Sequence, residues 1–264
     1  MQDFQAEKEW HEGKFYIDSG HWTSHPLFAS RERHWLQNEV QKIRFYGYLY
    51  RYIKKKPYRN NATVLMSPIG NGDDLHYLEG IFNVVHGIDI SSIALSNCPN
   101  TIIKKEGDIL HSGYEDESFD IVICSLFLHH VHETGFEPFI KEFSRLLRKG
   151  GTLAILEPSA MYPFSWITAL AQKVMGNVSG KVEGERPISP LKVTNILKVI
   201  GFKRILTRGL TFNHVRFPCA IQSPVPSSIL LTCLIIHSDF LVLLIYLQIV
   251  SGGSVRSHKN GKNF

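Results

Sequence analysis

Apolar and polar positions along this chain follow two rhythms, and the change from one to the other falls near Thr63. Ahead of it, Leu36, Val40, Ile43 and Tyr50 return at steps of three, four or seven behind Ser30. Ser30 is a good helix N-cap, so the spacing predicts a helix from about there to Ile53 that buries this one face. Residues 1–28 mix aromatics such as Trp10, Phe15, Trp22 and Phe28 with the breakers Gly13, Gly20 and Pro26, and predict an irregular lead-in.

Beyond Thr63, short apolar runs alternate with helical stretches, the pattern of βαβ units around a parallel sheet. Strands are expected at 64–66, 84–89, 101–103, 119–125, 152–157 and 202–209. Between the fourth and fifth, Thr134 and Glu137 have capping-box spacing, and Phe136, Phe139, Ile140, Phe143, Leu146 and Leu147 form one stripe that ends at Lys149-Gly150-Gly151. A further helix is expected from Ser189-Pro190 to Ile200, with Gly201 as its cap. Segment 158–190 breaks the rhythm with Pro158, Pro163, Gly176, Gly180, Gly184 and Pro187, and reads as an insert over the carboxyl edge of the sheet, where substrates are met.

Residues 229–250 are strongly apolar but carry His237, Ser238 and Asp239 midway. An Asp at a bilayer centre costs roughly 2.5 to 3.5 kcal/mol, and the uninterrupted runs are short for a span. Three readings stay open there: a transmembrane helix, an interfacial element giving peripheral membrane contact or capping a substrate, and a buried terminal helix or strand pair. The chain thus divides into an N-terminal segment with capping helix (1–61), an α/β core (62–226) and an apolar element with a basic tail (227–264).

Composition narrows the class. With 264 residues, 44% apolar and 20% charged, the chain suits one large globular domain with elaborations. The net charge of +5 comes from scattered residues rather than a basic stripe with interleaved aromatics, which argues against a dedicated nucleic-acid binder. Cys98, Cys124, Cys219 and Cys233 show no metal-ligand spacing and no preceding signal-peptide pattern, so reduced thiols in a cytoplasmic protein are expected.

In an open parallel sheet, ligands bind beyond the carboxyl ends of the strands, so the residues where strands stop carry the chemistry. After the first strand come Ser67-Pro68-Ile69-Gly70-Asn71-Gly72, whose glycines permit a tight turn and a close approach to a ligand, followed by a helix opened by Asp73 or Asp74. The second strand ends in Asp89, which can accept hydrogen bonds from a ribose diol or cap the next helix. At the third, Asp108 and the adjacent amide of Ile109 can read an adenine edge, or Asp108 can serve as a turn residue. His129-His130 follow the fourth strand, where one imidazole could remove a proton from an acceptor or both could be structural. Leu75 replaces the third glycine of G-x-G-x-x-G, which disfavours a dinucleotide site. His21, His25, His214, Glu157, Arg186 and Arg216 are further candidates for acceptor contacts, with ordinary hydrogen-bond or salt-bridge roles as the alternative.

VLMSPIGNG, HGIDISSIAL, EGDIL, DESFDIVICSLFLHHV and RLLRKGGTLAILEP, in this order across residues 62–157, resemble the motifs of class I S-adenosylmethionine (SAM)-dependent methyltransferases, of the type that acts on ubiquinone precursors and other small molecules. The resemblance implies a Rossmann-like, doubly wound, mostly parallel seven-stranded sheet with an antiparallel last strand and helices on both faces. It also implies SAM as cofactor. Ser67, Gly70, Asn71 and Gly72 would line its methionine and ribose side, Asp89 and Ile90 would hold the ribose, Asp108 and Ile109 would contact adenine, and Ser125 would lie beside it. The acceptor would be a small molecule, hydrophobic or lipid-linked, with His129 or His130 as base. Met66 and Pro68 depart from the family, which has an acidic residue and a glycine there, and a degenerate domain serving as a binding or accessory module is the alternative.

Overall fold

The computed structural model describes residues 31–59, 61–131, 135–160, 186–210 and 245–251. A helix α1 (Arg31–Ile53) precedes β1 (Thr63–Met66); β2 (Val84–Asp89), α2 (Ser92–Asn97), β3 (Ile103–Glu106), β4 (Phe119–Ser125), α3 (Glu137–Leu146), β5 (Leu147–Pro158), α4 (Pro190–Ile200), β6 (Arg204–Gly209) and β7 (Ile245–Ser251) follow. The strands form one sheet in the order β3-β2-β1-β4-β5-β7-β6. Four neighbouring pairs, joining β3, β2, β1, β4 and β5, run parallel, and β7 lies antiparallel between β5 and β6. The sequence leads from β1 outward to β3, then returns to β4 on the other flank of β1, so a topological switch falls between β1 and β4.

Side chains alternate across the pleat and feed two cores. On one face, Leu65, Val122 and Cys124 pack under Phe139, Ile140 and Phe143 of α3 and Val193 and Leu197 of α4. On the other, Val64, Met66, Ile121, Ile123 and Leu156 pack under Phe45, Tyr46, Leu49 and Ile53 of α1. Helices thus cover both faces, as the α/β reading requires.

Several local expectations change. The stripe expected to be buried on α1 faces outward: Val40 is 44% exposed, Ile43 55% and Tyr50 39%. Phe45, Tyr46, Leu49 and Ile53 form a second stripe on the same helix, and its larger side chains fill the space above the sheet. Strand β3 starts at Ile103 rather than Thr101, because an edge strand with the pattern Ile-Lys-Lys-Glu has little apolar signal to mark it. Helix α3 begins at Glu137 behind Phe136, which makes no side-chain cap; Thr134 of the expected capping box lies outside the described residues. Strand β5 starts at Leu147, and its register against β4 jumps between Phe119 and Ile121 as Arg148 to Gly151 bulge out, with Gly150 at φ +80°. After the glycine turn there is only a 3-10 turn, Leu75–Tyr77.

The two ends of the 158–190 insert are pinned at the carboxyl edge, where Ile188 N donates to Pro158 O (2.9 Å) and Ala160 N to Ile188 O (2.8 Å). Residues 161–185 between them lie outside the described set. The end of the apolar stretch is strand β7, whereas residues 211–244 lie outside the described set. No helix among the described residues is long and apolar enough to cross a membrane.

Candidate functional site

The turn after β1 is held by its own amides. Ser67 N donates to Ile123 O (2.9 Å), Ile69 N to Ile88 O (3.1 Å) and Gly72 N to Ile69 O (3.2 Å). Pro68, which has no N–H, sits between Ser67 and Ile69, which supply two of these anchors, so its ring removes neither of them. Met66 is buried in the core beneath α1 rather than filling the rim. Ile69 presses onto Gly87 of β2, where an added Cβ would come within 2.3 Å of Ile69 Cδ1. Gly70 and Gly72 both take left-handed conformations, φ +56° and +78°. Their surroundings differ: a Cβ on Gly72 would strike Leu75 and Cys98, whereas one on Gly70 would meet nothing within 4 Å. Gly72 therefore serves packing, and Gly70 leaves the open approach.

Asp89, at the end of β2, ties the rim together. One carboxylate oxygen accepts from Gly70 N (2.8 Å) and the other from Ser91 N (3.0 Å), while its carbonyl accepts from Gly107 N (2.8 Å). The helix cap belongs to Ser91, whose hydroxyl accepts from Ala94 N (3.1 Å). Each Asp89 oxygen keeps lone-pair capacity, and the residue is 8% exposed. Gly70, Asp89 and Gly107 thus meet at one edge, and Asp108 follows directly. Its carboxylate is turned onto its own 3-10 turn, Ile109–His111, accepting from Leu110 N (2.9 Å) with His111 Nδ1 at 3.1 Å. The Ile109 side chain is in the core. The Asp108 side chain stays 33% exposed. Asn71 accepts from the Asn97 amide (3.2 Å), which braces the turn against α2, and Ile90 is half-buried between Asp89 and Ser91.

On the flank of the switch, β4 ends at Ser125, half-buried beside Leu156 of β5. Leu126 takes φ +55°, a conformation costly for a residue with a branched side chain, and its amide is held by Leu156 O at 2.7 Å. Glu157 is completely buried. Its Oε1 accepts from Phe127 N (2.8 Å) and Leu128 N (2.6 Å), and its Oε2 lies 2.7 Å from His129 Nδ1. The rings of His129 and His130 lie 3.9 Å apart, and Arg186 N reaches His129 O at 3.3 Å. Burial, reinforced by the Glu157 charge, pushes the Cys124 thiol well above its ordinary range, which makes this cysteine inert core. His21, His25, His214 and Arg216 lie outside the described residues.

Two features escaped the reading of the sequence. One is the full enclosure of Glu157: of its two open roles it takes the hydrogen-bond and salt-bridge one, with no surface exposed. The other joins α1 to the turn after the glycines: buried Asp74 accepts from Tyr46 OH (2.8 Å) and pairs with Lys42 Nζ (2.5 Å), and Tyr77 OH donates to Glu39. The Tyr46 and Tyr77 rings stack at 4.7 Å. Burial, then the nearby Asp74 charge, holds the Tyr46 phenol well above its usual range, so it stays a donor. Lys42 and Tyr46 stand at i,i+4 on α1, the one local signal that this face is polar-paired.

Residues 67–155 match the family model described as a methyltransferase domain. Two fungal synthetases align over part of the chain. The hybrid PKS-NRPS synthetase ucsA of Acremonium sp is 29% identical over 105 residues, 40% of this chain and 2% of that protein. The polyketide synthase-nonribosomal peptide synthetase TwmB of Talaromyces wortmannii is 30% identical over 126 residues, 46% of this chain and 4% of that protein. The chain therefore spans a small fraction of the length of these curated relatives. Among solved structures, the complex of the Haloferax volcanii Trm112 methyltransferase activator with its methyltransferase gives a TM-score of 0.55 at 15% identity, covering 84% of this chain and 92% of that one. A SAM-dependent methyltransferase from Methanosarcina mazei gives 0.51 at 16% identity, covering 75% and 95%. The Burkholderia thailandensis 1,6-didemethyltoxoflavin-N1-methyltransferase, with 1,6-didemethyltoxoflavin and S-adenosylhomocysteine bound, gives 0.52 at 12% identity, covering 83% and 81%.

The sheet order and the rim at its switch define a Rossmann-like, doubly wound class. Within it, residues 67–155 match a methyltransferase-domain model, and the solved structures that share the fold include SAM-dependent methyltransferases, proteins in which SAM is the cofactor.

Proposed function

We propose that this protein is an enzyme that transfers a methyl group from SAM to a small-molecule acceptor. The observation that carries the reading is the convergence of Gly70 and Asp89: an open backbone approach and a carboxylate with spare acceptor capacity on one turn, joined at 2.8 Å. The space a Cβ would fill at Gly70 suits a ligand lying against the backbone, and Asp89 suits a vicinal diol. Asn71, Ile90 and the backbone at Asp108 and Ile109 would complete the cofactor side, with Ser67 and Ser125 beneath and beside it. SAM supplies a methyl group already activated as a sulfonium, so much of what the protein adds is alignment of the acceptor. His129 and His130, at the end of the neighbouring strand, stand on the acceptor side. A small acceptor is supported by the B. thailandensis neighbour, whose structure holds 1,6-didemethyltoxoflavin.

Calorimetric titration with S-adenosylhomocysteine tests this. Binding is expected, and Asp89→Ala should weaken it by roughly 1.5 to 3 kcal/mol, the range for hydrogen bonds to a charged group. Absence of both heat and thermal shift at millimolar cofactor in the unaltered chain would overturn the reading.

A further inference from the structure

We propose that Cys98 is a positioning residue whose thiol, at the end of α2, presets the glycine turn in the shape that receives SAM; this rests on the methyltransferase function proposed above. Gly70 and Gly72 stand at φ +56° and +78°. Glycine loses more backbone freedom on ordering than any other residue, so a turn built on two of them needs anchors from outside itself.

Those anchors grip Gly70 from both sides. Its N–H donates to Asp89 Oδ2 at 2.8 Å, and its carbonyl accepts from the Cys98 thiol at 3.4 Å. The same sulfur fills the space behind Gly72, where an added Cβ would come within 3.0 Å of Cys98 Sγ and 3.6 Å of Cys98 Cα. Between the glycines, Asn71 Oδ1 accepts from the Asn97 amide at 3.2 Å. The last residue of α2 and the cap behind it thus meet all three residues of the turn.

The thiol is itself held in place. Cys98 N donates to Leu95 O (3.2 Å), and Lys104 Nζ of β3 donates to Cys98 O and to Asn100 Oδ1, which fixes the end of α2 against the edge strand. The sulfur also lies 3.6 Å from Ala94 O, so its hydrogen is shared between helix and turn, with the turn nearer. Burial pushes the Cys98 thiol above its ordinary range against the opposing pull of Lys104, and the Asp89 and Asp73 charges add to the rise. The sulfur therefore keeps the hydrogen it donates. Gly107 N on Asp89 O closes the circuit, which runs from the turn to β2, β3, α2 and back to the turn. A cofactor arriving on the open side of Gly70 meets a turn already in its binding shape, and less of its binding free energy is lost to ordering it.

Calorimetric titration of the full chain with S-adenosylhomocysteine tests this, with urea unfolding of the same variants alongside. Cys98→Ala should weaken affinity by about threefold to tenfold, the range of one lost hydrogen bond, and Cys98→Ser, which keeps a donor, should bind within about twofold of the unaltered chain. Val193→Ala opens a cavity on the other face of the sheet, and should lose stability with affinity unchanged, which separates positioning from general weakening. Equal affinity of Cys98→Ala and the unaltered chain, or a Cys98→Ser as weak as Cys98→Ala, overturns the proposal. If Cys98→Ala does not fold, the unaltered protein decides, because a thiol contact that favours the cofactor is favoured by it in turn. S-adenosylhomocysteine should then slow labelling of Cys98 by iodoacetamide, read on its peptide by mass spectrometry, more than it slows global unfolding; equal slowing overturns the proposal. The two failures are separable: no binding by the unaltered chain removes the methyltransferase function, whereas binding that Cys98→Ala leaves unmoved removes only the role of Cys98.

Discussion

On the β1–β2 side of the rim, the Asp89 carboxylate accepts Gly70 N and Ser91 N; on the β4–β5 side, the Glu157 carboxylate accepts Phe127 N and Leu128 N and meets His129. Both acids end a strand and both tether the loop that leaves a neighbouring strand. They differ in what they leave over. Asp89 lies at the mouth with one amide on each oxygen, so a ligand can still bond to it. Glu157 has no exposed surface, and its three donors all belong to the protein. The same device keeps a little exposed surface at Asp89, 8%, and none at Glu157.

If that difference is real, Glu157→Ala should be the most damaging change. It takes the carboxylate away from the buried Leu128 amide, the part-buried Phe127 amide and the His129 ring nitrogen at about 1 to 3 kcal/mol each, so urea unfolding should show a loss of about 3 kcal/mol or more. Asp89→Ala takes it away from two amides, those of Gly70 and Ser91, and should cost less. Equal losses would collapse the contrast. Gly87→Ala probes the cofactor side from beneath, since its Cβ would drive into Ile69 and shift the glycine turn. A stability loss of about 1 to 3 kcal/mol is expected from overpacking, with weaker S-adenosylhomocysteine binding alongside. Retained affinity at full stability loss would uncouple Ile69 from the rim.

The smallest effect is expected away from both acids. His86 on β2 packs edge-on against Phe119 and Tyr114, and its Nδ1 is buried with no hydrogen-bond partner among the described residues. Burial holds its pKa below the usual 6.5. The folded state thus favours the neutral ring: its contribution to stability is complete above 6.5 and is lost as pH falls through the window below it. His86→Phe should gain about 1 kcal/mol at neutral pH by removing the orphaned nitrogen. Thermal melts at a series of pH values should also show a shallower acid decline, and an unchanged decline would place the acid sensitivity elsewhere.

Much of the scaffold was legible because its signals are local. The runs at 84–89 and 119–125, the Pro190 start and the Gly201 cap of α4, and the glycine turn at 70–72 each depend on a few adjacent residues. Asp89 was legible for the same reason as the residue that ends β2 at the carboxyl edge of the sheet. Asp108 was half legible: its place at the rim follows from β3, but its carboxylate caps its own turn. Glu157 was left between an acceptor contact and an ordinary hydrogen-bond or salt-bridge role, because a carboxylate at a strand end looks alike whether it meets solvent or two amides from a loop thirty residues earlier in the chain.

From its own pattern, then, the chain specifies a βαβ succession, the turns that expose Gly70, and the acids that end β2 and β5, because backbone geometry and strand periodicity act between near neighbours. Three matters were decided by packing alone: which of two apolar stripes on α1 turns inward, the entry of β7 between β5 and β6, and the enclosure of Glu157 against His129. Each depends on surfaces contributed from distant parts of the sequence, and burial is a property of the assembled surfaces rather than of any residue's neighbours in the chain.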